Sequence, residues 1–157
     1  MRIRVPIFVL LLVAAVAACV SLVLAKPVFT GKNETTEQLI ARVEMVRPED
    51  RLALYVEIAR RKADAADKSY DEGNAEAGKA ALQDVLIYSQ KATDSSIATG
   101  KKQKDTEIIL RKMAMKFRDV KRTVAFEDQA PIQQAMDGLE KMRTDLLAAM
   151  FGKKKNR

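Results

Sequence analysis

The chain has 157 residues, with 28 Lys and Arg against 21 Asp and Glu, a net charge of +7, no histidine, no tryptophan and one cysteine. That length is one ordinary domain. Without histidine there is no imidazole base, no Ser-His-Asp triad and no imidazole metal ligand, and a single cysteine excludes a disulfide framework or a cysteine-rich zinc site.

The chain opens on Met1-Arg2-Ile3-Arg4, and from Val5 to Ala25 no residue is charged. A basic start, an apolar run and a small-residue exit describe a secretory signal peptide, with Ala25 before the cleavage point. An apolar run of about 20 residues can also span a bilayer, so an uncleaved segment would anchor the domain outside the cytoplasm and give membrane contact through residues 5–25. Val16-Ala17-Ala18-Cys19 resembles the bacterial lipoprotein signal motif, in which Cys19 would carry the lipid, although residues 20–25 stay apolar where a polar tether is usual. All three versions predict export, to the periplasm or the medium. Cleavage after Ala25 would leave a chain without cysteine, indifferent to an oxidising compartment.

Residues 26–34, with Pro27, Gly31 and Asn33, read as an extended leader, and Asn33-Glu34-Thr35 is a glycosylation triplet short enough to arise by chance. A short helix is predicted from Thr35, with Gln38 as its capping partner, to Val46 before Pro48. The second helix starts at Pro48 and buries Leu52, Val56, Ala59, Ala63, Ala66 and Tyr70, a heptad seam rich in alanine. Gly73-Asn74 makes the turn. The third helix spans Ala75 to Thr99 with Leu82, Val85, Ser89, Ala92 and Ser96 inward, and Gly100 stops it.

Around Tyr70-Asp71-Glu72-Gly73-Asn74 this helix pair resembles a tetratricopeptide-type hairpin over about 45 residues. The resemblance implies a two-helix unit; no second copy lies at the 34-residue period of such repeats. As a whole the chain is similar to small exported helical-bundle proteins of bacteria.

The fourth helix, predicted over Lys102 to Phe126, buries Thr106, Leu110, Met113, Phe117, Val120 and Val124. Opposite that seam lie Lys104, Arg111, Arg118 and Arg122, with Ile108 and Met115 among them. Residues 101–126 carry nine basic and three acidic side chains, whereas residues 26–152 together net only +1. The excess charge is therefore concentrated on this helix and at the two ends of the chain. Such a face fits an anionic envelope surface or an acidic protein. The alternatives are a solvated face balanced by acidic neighbours, and Ile108 and Met115 packing under the first helix. The fifth helix runs from Ile132 to Phe151 with Ile132, Ala135, Leu139, Met142, Leu146 and Met150 inward, before the basic tail 153–157.

These elements predict an all-α antiparallel helical bundle over residues 35–152, with four main helices and one short leading helix behind an N-terminal signal or anchor helix over 1–25. No catalytic, cofactor or metal residue is expected. A two-carboxylate hydrolase needs its acids grouped in a cleft often lined by aromatics; here the acids are scattered and aromatics are 5% of residues. The expected role is non-enzymatic, through an unidentified protein or an anionic envelope surface and without nucleic acid. An anchored scaffold that oligomerises through its helices is the alternative.

Overall fold

The computed structural model describes residues 34–152. The predicted signal with Cys19 and Ala25, the leader as far as Asn33, and the tail 153–157 lie outside the described residues. The compact unit that begins at Thr35 is all-helical among the described residues, with five α-helices and no strand. They are α1 (Thr36–Met45), α2 (Arg51–Asp71), α3 (Ala75–Thr99), α4 (Gln103–Thr123) and α5 (Gln129–Gly152), with single 3-10 turns at Pro48–Asp50 and Phe126–Asp128.

Local chemistry sets most boundaries. The Thr35 hydroxyl accepts from the Gln38 amide at 3.3 Å while Gln38 Oε1 accepts from the Thr35 amide at 2.9 Å, a capping box that satisfies two otherwise orphan donors. Val46 and Arg47 turn extended before Pro48, as the residue preceding a proline must. The proline starts a 3-10 turn rather than the α-helix, which begins at Arg51. Asn74 caps α3 by accepting from the Ala77 amide at 3.1 Å, after Gly73 takes the left-handed conformation (φ +75°) that the turn requires. Gly100 (φ +69°) closes α3 in the same way. The fourth helix stops at Thr123 instead of Phe126, because Val124 and Ala125 go extended and the Phe126–Asp128 turn leads into α5 three residues before Ile132. Phe126 is left 86% exposed.

The helices form a bundle of two antiparallel hairpins. In the first, Tyr70 of α2 lies against Gly78 of α3, and the Lys62 ammonium meets Asp84 at 2.8 Å. In the second, Arg143 of α5 pairs with Glu107 of α4 at 2.7 Å and Lys121 donates to Gln133 at 2.7 Å. Between hairpins, like faces like: Lys116 of α4 reaches Asp64 and Asp67 of α2, and Gly138 of α5 receives the Leu86 side chain of α3.

One core runs through both hairpins. It contains Ala59, Ala63, Ala66, Tyr70, Leu82 and Val85 from the first, and Leu110, Met113, Phe117, Val120, Ile132, Leu139, Met142 and Leu146 from the second. The predicted seams supply nearly all of it; Val56, Val124 and Met150 are only half-buried. A second, smaller cluster joins Leu39 and Val43 of α1 to Leu54 and Ile58 of α2. Thus α2 is buried on two sides, and α1 rests on α2 rather than over Ile108 and Met115.

The buried seams repeat between the hairpins at constant offsets. Leu52, Ala59, Ala63 and Ala66 of α2 correspond, 54 positions on, to Thr106, Met113, Phe117 and Val120 of α4, and Tyr70 to the half-buried Val124 just past its end. Leu82, Val85, Ser89, Ala92 and Ser96 of α3 correspond, 50 positions on, to Ile132, Ala135, Leu139, Met142 and Leu146 of α5. Where the first hairpin places Ala or Ser, the second places Met, Phe, Val or Leu at most positions. The small residues of the first hairpin and the large ones of the second share the one core, where mixed sizes can interdigitate.

Candidate functional site: the outer face of α4

Helix α4 buries Leu110, Met113 and Phe117 inward, so residues half a turn away point out. Lys104, Arg111, Arg118 and Arg122 are all exposed, Met115 is 48% exposed, and Ile108 is half-buried at the edge of the face. The six residues follow spacings of 4, 3, 4, 3 and 4, so the structure brings every predicted member onto one straight stripe.

The charge on this stripe is not neutralised inside the fold. Among the described residues, Lys104 and Arg111 make no ion pair, and Arg118 and Arg122 share only Asp119, at 3.9 and 3.6 Å and in solvent. Exposed pairs of that length contribute little, about 0–1 kcal/mol. Several of the nearest acidic residues hold other partners. Glu107 and Glu140 hold Arg143, whose pKa is raised above the ordinary arginine value first by the Glu107 hydrogen bond. Asp64 and Asp67 hold Lys116.

Lys116 stands beside the stripe, facing α2, and divides a groove between α2 and α4. On one side lies a space of about 430 Å³ with an apolar floor of Ala63, Ile109 and Met113 and a basic rim of Arg60 and Lys112. On the other lies a space of about 380 Å³ edged by Asp67, Asp71 and Asp119. Burial disfavours the Lys116 ammonium, but hydrogen bonds to the two carboxylates outweigh it, and its pKa rises above the ordinary 10.5. Lys116 is a strut between hairpins. Sequence reasoning counted it only as part of the basic excess. The signal that would have separated it is its place on the flank of the Met113 seam, three residues on, rather than opposite that seam.

The same offset that aligns the cores aligns the outer faces, and there three charges reverse while Lys68 and Arg122 keep the same sign. Asp50, Leu54, Glu57, Arg61, Asp64 and Lys68 of the first hairpin stand where Lys104, Ile108, Arg111, Met115, Arg118 and Arg122 stand in the second. The acidic members of the first set make closer pairs within the chain, Asp50 with Arg47, Glu57 with Arg60 and Arg61, and Asp64 with Lys116, whereas Lys68 meets Glu72 only at 3.7 Å in solvent, much as Arg122 meets Asp119. Leu54, the counterpart of Ile108, is covered by α1. The same helical position thus folds with either sign of charge.

Among the described residues no group of three or more acidic or cysteine side chains is placed to hold a metal ion, and no helix is long and apolar enough to cross a membrane. No family model, curated protein or solved structure matches the chain. Fold and face together define an all-α helical bundle with one strongly cationic outer helix.

Proposed function

We propose that this is an exported, non-enzymatic helical protein that acts by pressing the outer face of α4 against an anionic partner surface. The observation that carries the reading is the stripe Lys104, Arg111, Arg118 and Arg122, exposed and, among the described residues, paired only through Asp119, which meets Arg118 and Arg122 in solvent. A solvated face that only kept the protein soluble would not need Ile108 and Met115 set among the cations, whereas a contact surface does. Export rests on the basic start and uncharged run of residues 1–25. The absence of histidine, and of any cysteine beyond Cys19, supports a role without covalent or imidazole chemistry.

Charge reversal tests the contact. Capture of partners from an envelope extract by the R111E/R118E/R122E variant should be lost while the circular dichroism spectrum is unchanged. Wild-type capture should weaken as salt is raised, since charges about 10 Å apart are largely screened at 0.1 M. Capture that survives both the reversal and high salt would reject the reading. Intact mass of soluble and membrane fractions tests export separately: a species beginning at Lys26, a lipidated species beginning at Cys19 and a full-length membrane species are its three forms.

A further inference from the structure

The outer face of α4 has a register as well as a charge. Its six residues alternate between two heptad positions: Lys104, Arg111 and Arg118 at one, Ile108, Met115 and Arg122 at the other. Alternation of that kind is the docking edge of a helix pair, in which one position sets polarity and orientation and the other buries apolar surface. A lipid surface asks for something different, a broad apolar sector about a third of the helix wide with bulky residues to insert. Here the apolar element is a single narrow line, broken by arginine between Ile108 and Met115.

We infer that the outer seam of α4 is the seat of one acidic α-helix from a partner protein, lying along α4 with carboxylates against Lys104, Arg111 and Arg118 and apolar residues against Ile108 and Met115. The inference rests on the reading of α4 as the contact face and names what that face accepts. Complementarity of charge sets the partner's chemistry: acidic residues seven apart, the spacing of Asp50, just before α2, and Glu57 and Asp64 on it.

That internal likeness also excludes a second copy as the occupant. Along α2 and the turn before it the complementary carboxylates already hold Arg47, Arg60, Arg61 and Lys116, and the apolar position between them, Leu54, lies under α1. Helix α1 provides the precedent for how such a position is filled: a ten-residue helix sits on Leu54, the counterpart of Ile108, through Leu39 and Val43.

The test uses the full chain and three probes, in non-ionic detergent for the two peptides and diluted well below the critical micelle concentration for the third. The first is a 21-residue synthetic helix (about three heptads) with Glu at one core heptad position and Leu at the other. The second is a peptide of the same composition with the register shuffled. The third is a set of vesicles with and without phosphatidylglycerol. The heptad peptide should bind about tenfold more tightly than the shuffled one. R111E/R118E should abolish its binding, and Met115→Ser, which leaves every charge in place, should erase the preference for the ordered register. Equal binding of the two peptides, with Met115→Ser silent, overturns the helix seat and leaves a generic anion contact. Arginine-dependent binding to phosphatidylglycerol vesicles without binding to the ordered peptide also overturns the helix seat, in favour of a membrane. If neither peptide nor vesicle responds to the arginine changes, both the seat and the proposed function fall.

Discussion

The two hairpins of this protein share a plan and differ in what fills it. Both carry the same inward register, yet the first is lined by Ala59, Ala63, Ala66, Ser89, Ala92 and Ser96, and the second by Met113, Phe117, Val120, Leu139, Met142 and Leu146. That difference is structural, because small against large is what allows close approach. Outside, the equivalent faces differ in sign: Asp50, Glu57 and Asp64 against Lys104, Arg111 and Arg118. This second difference has no structural necessity, since the first hairpin folds with its outer charges neutralised in place. The inner contrast holds the fold together; the outer one lies on the face proposed above for a partner.

The inner contrast breaks most readily at Phe117, which is 1% exposed and occupies the position of Ala63 in the first hairpin. Phe117→Ala would set alanine at both equivalent positions and should lower stability by about 3–5 kcal/mol in denaturant unfolding. A loss below about 1 kcal/mol would mean that the hairpins do not depend on small facing large.

Next comes the tightest approach within the first hairpin. A Cβ on Gly78 would lie 2.7–2.9 Å from ring atoms of Tyr70, a flat group held 9% exposed. Gly78→Ala should therefore cost about 1–3 kcal/mol despite alanine's better helix propensity. Gly138 is the control: its added Cβ would meet only the mobile tip of Leu86, at 2.6 Å, so Gly138→Ala should be near neutral. Equal losses at the two sites would contradict the rigid Tyr70 contact.

The first hairpin also buries hydroxyls that find no partner among the described residues, Ser89 Oγ and Thr93 Oγ1. An unsatisfied buried hydroxyl is a cost, so Thr93→Val and Ser89→Ala should each stabilise by about 1 kcal/mol, visible as a higher melting temperature. A drop on either substitution would reveal a hydrogen bond that the hydroxyl makes after all.

The smallest effect belongs to the Lys116 strut. Because its folded pKa is raised, the folded state keeps the proton longer than the unfolded chain. Its contribution is therefore complete below the ordinary 10.5 and fades as pH climbs through the raised value. Lys116→Met should cost up to about 1 kcal/mol at neutral pH, modest because the side chain is partly exposed. The gap between variant and wild type should shrink at strongly alkaline pH. A gap constant across that range would assign the effect to packing of the lysine stem.

Much of this arrangement is legible in the residues themselves. The bounds of α3 follow from Asn74 and Gly100, the start of α1 from the Thr35–Gln38 box, and the cationic stripe from spacing alone. What escaped was relational. Leu54 and Ile58 lie off the α2 seam and are buried because α1 lands on them, a long-range contact that periodicity within one helix does not encode. The end of α4 was masked by Val124, which continues the apolar rhythm after the backbone has turned extended. Reversed charge between the outer faces becomes visible only when the two hairpins are aligned by their buried seams. Lys116 is one basic residue among nine until α2 places Asp64 and Asp67 beside it.

The central claim is that the cations of α4 serve a partner and not the fold. The most direct measurement is urea unfolding at low salt of the R111E/R118E/R122E variant beside wild type, on the same preparations used for partner capture. The account predicts unfolding midpoints that agree within the equivalent of about 0.5 kcal/mol, together with loss of capture. A midpoint that falls by several times that amount, or capture that persists at full strength, would show that the charges belong to the fold or to nothing at all.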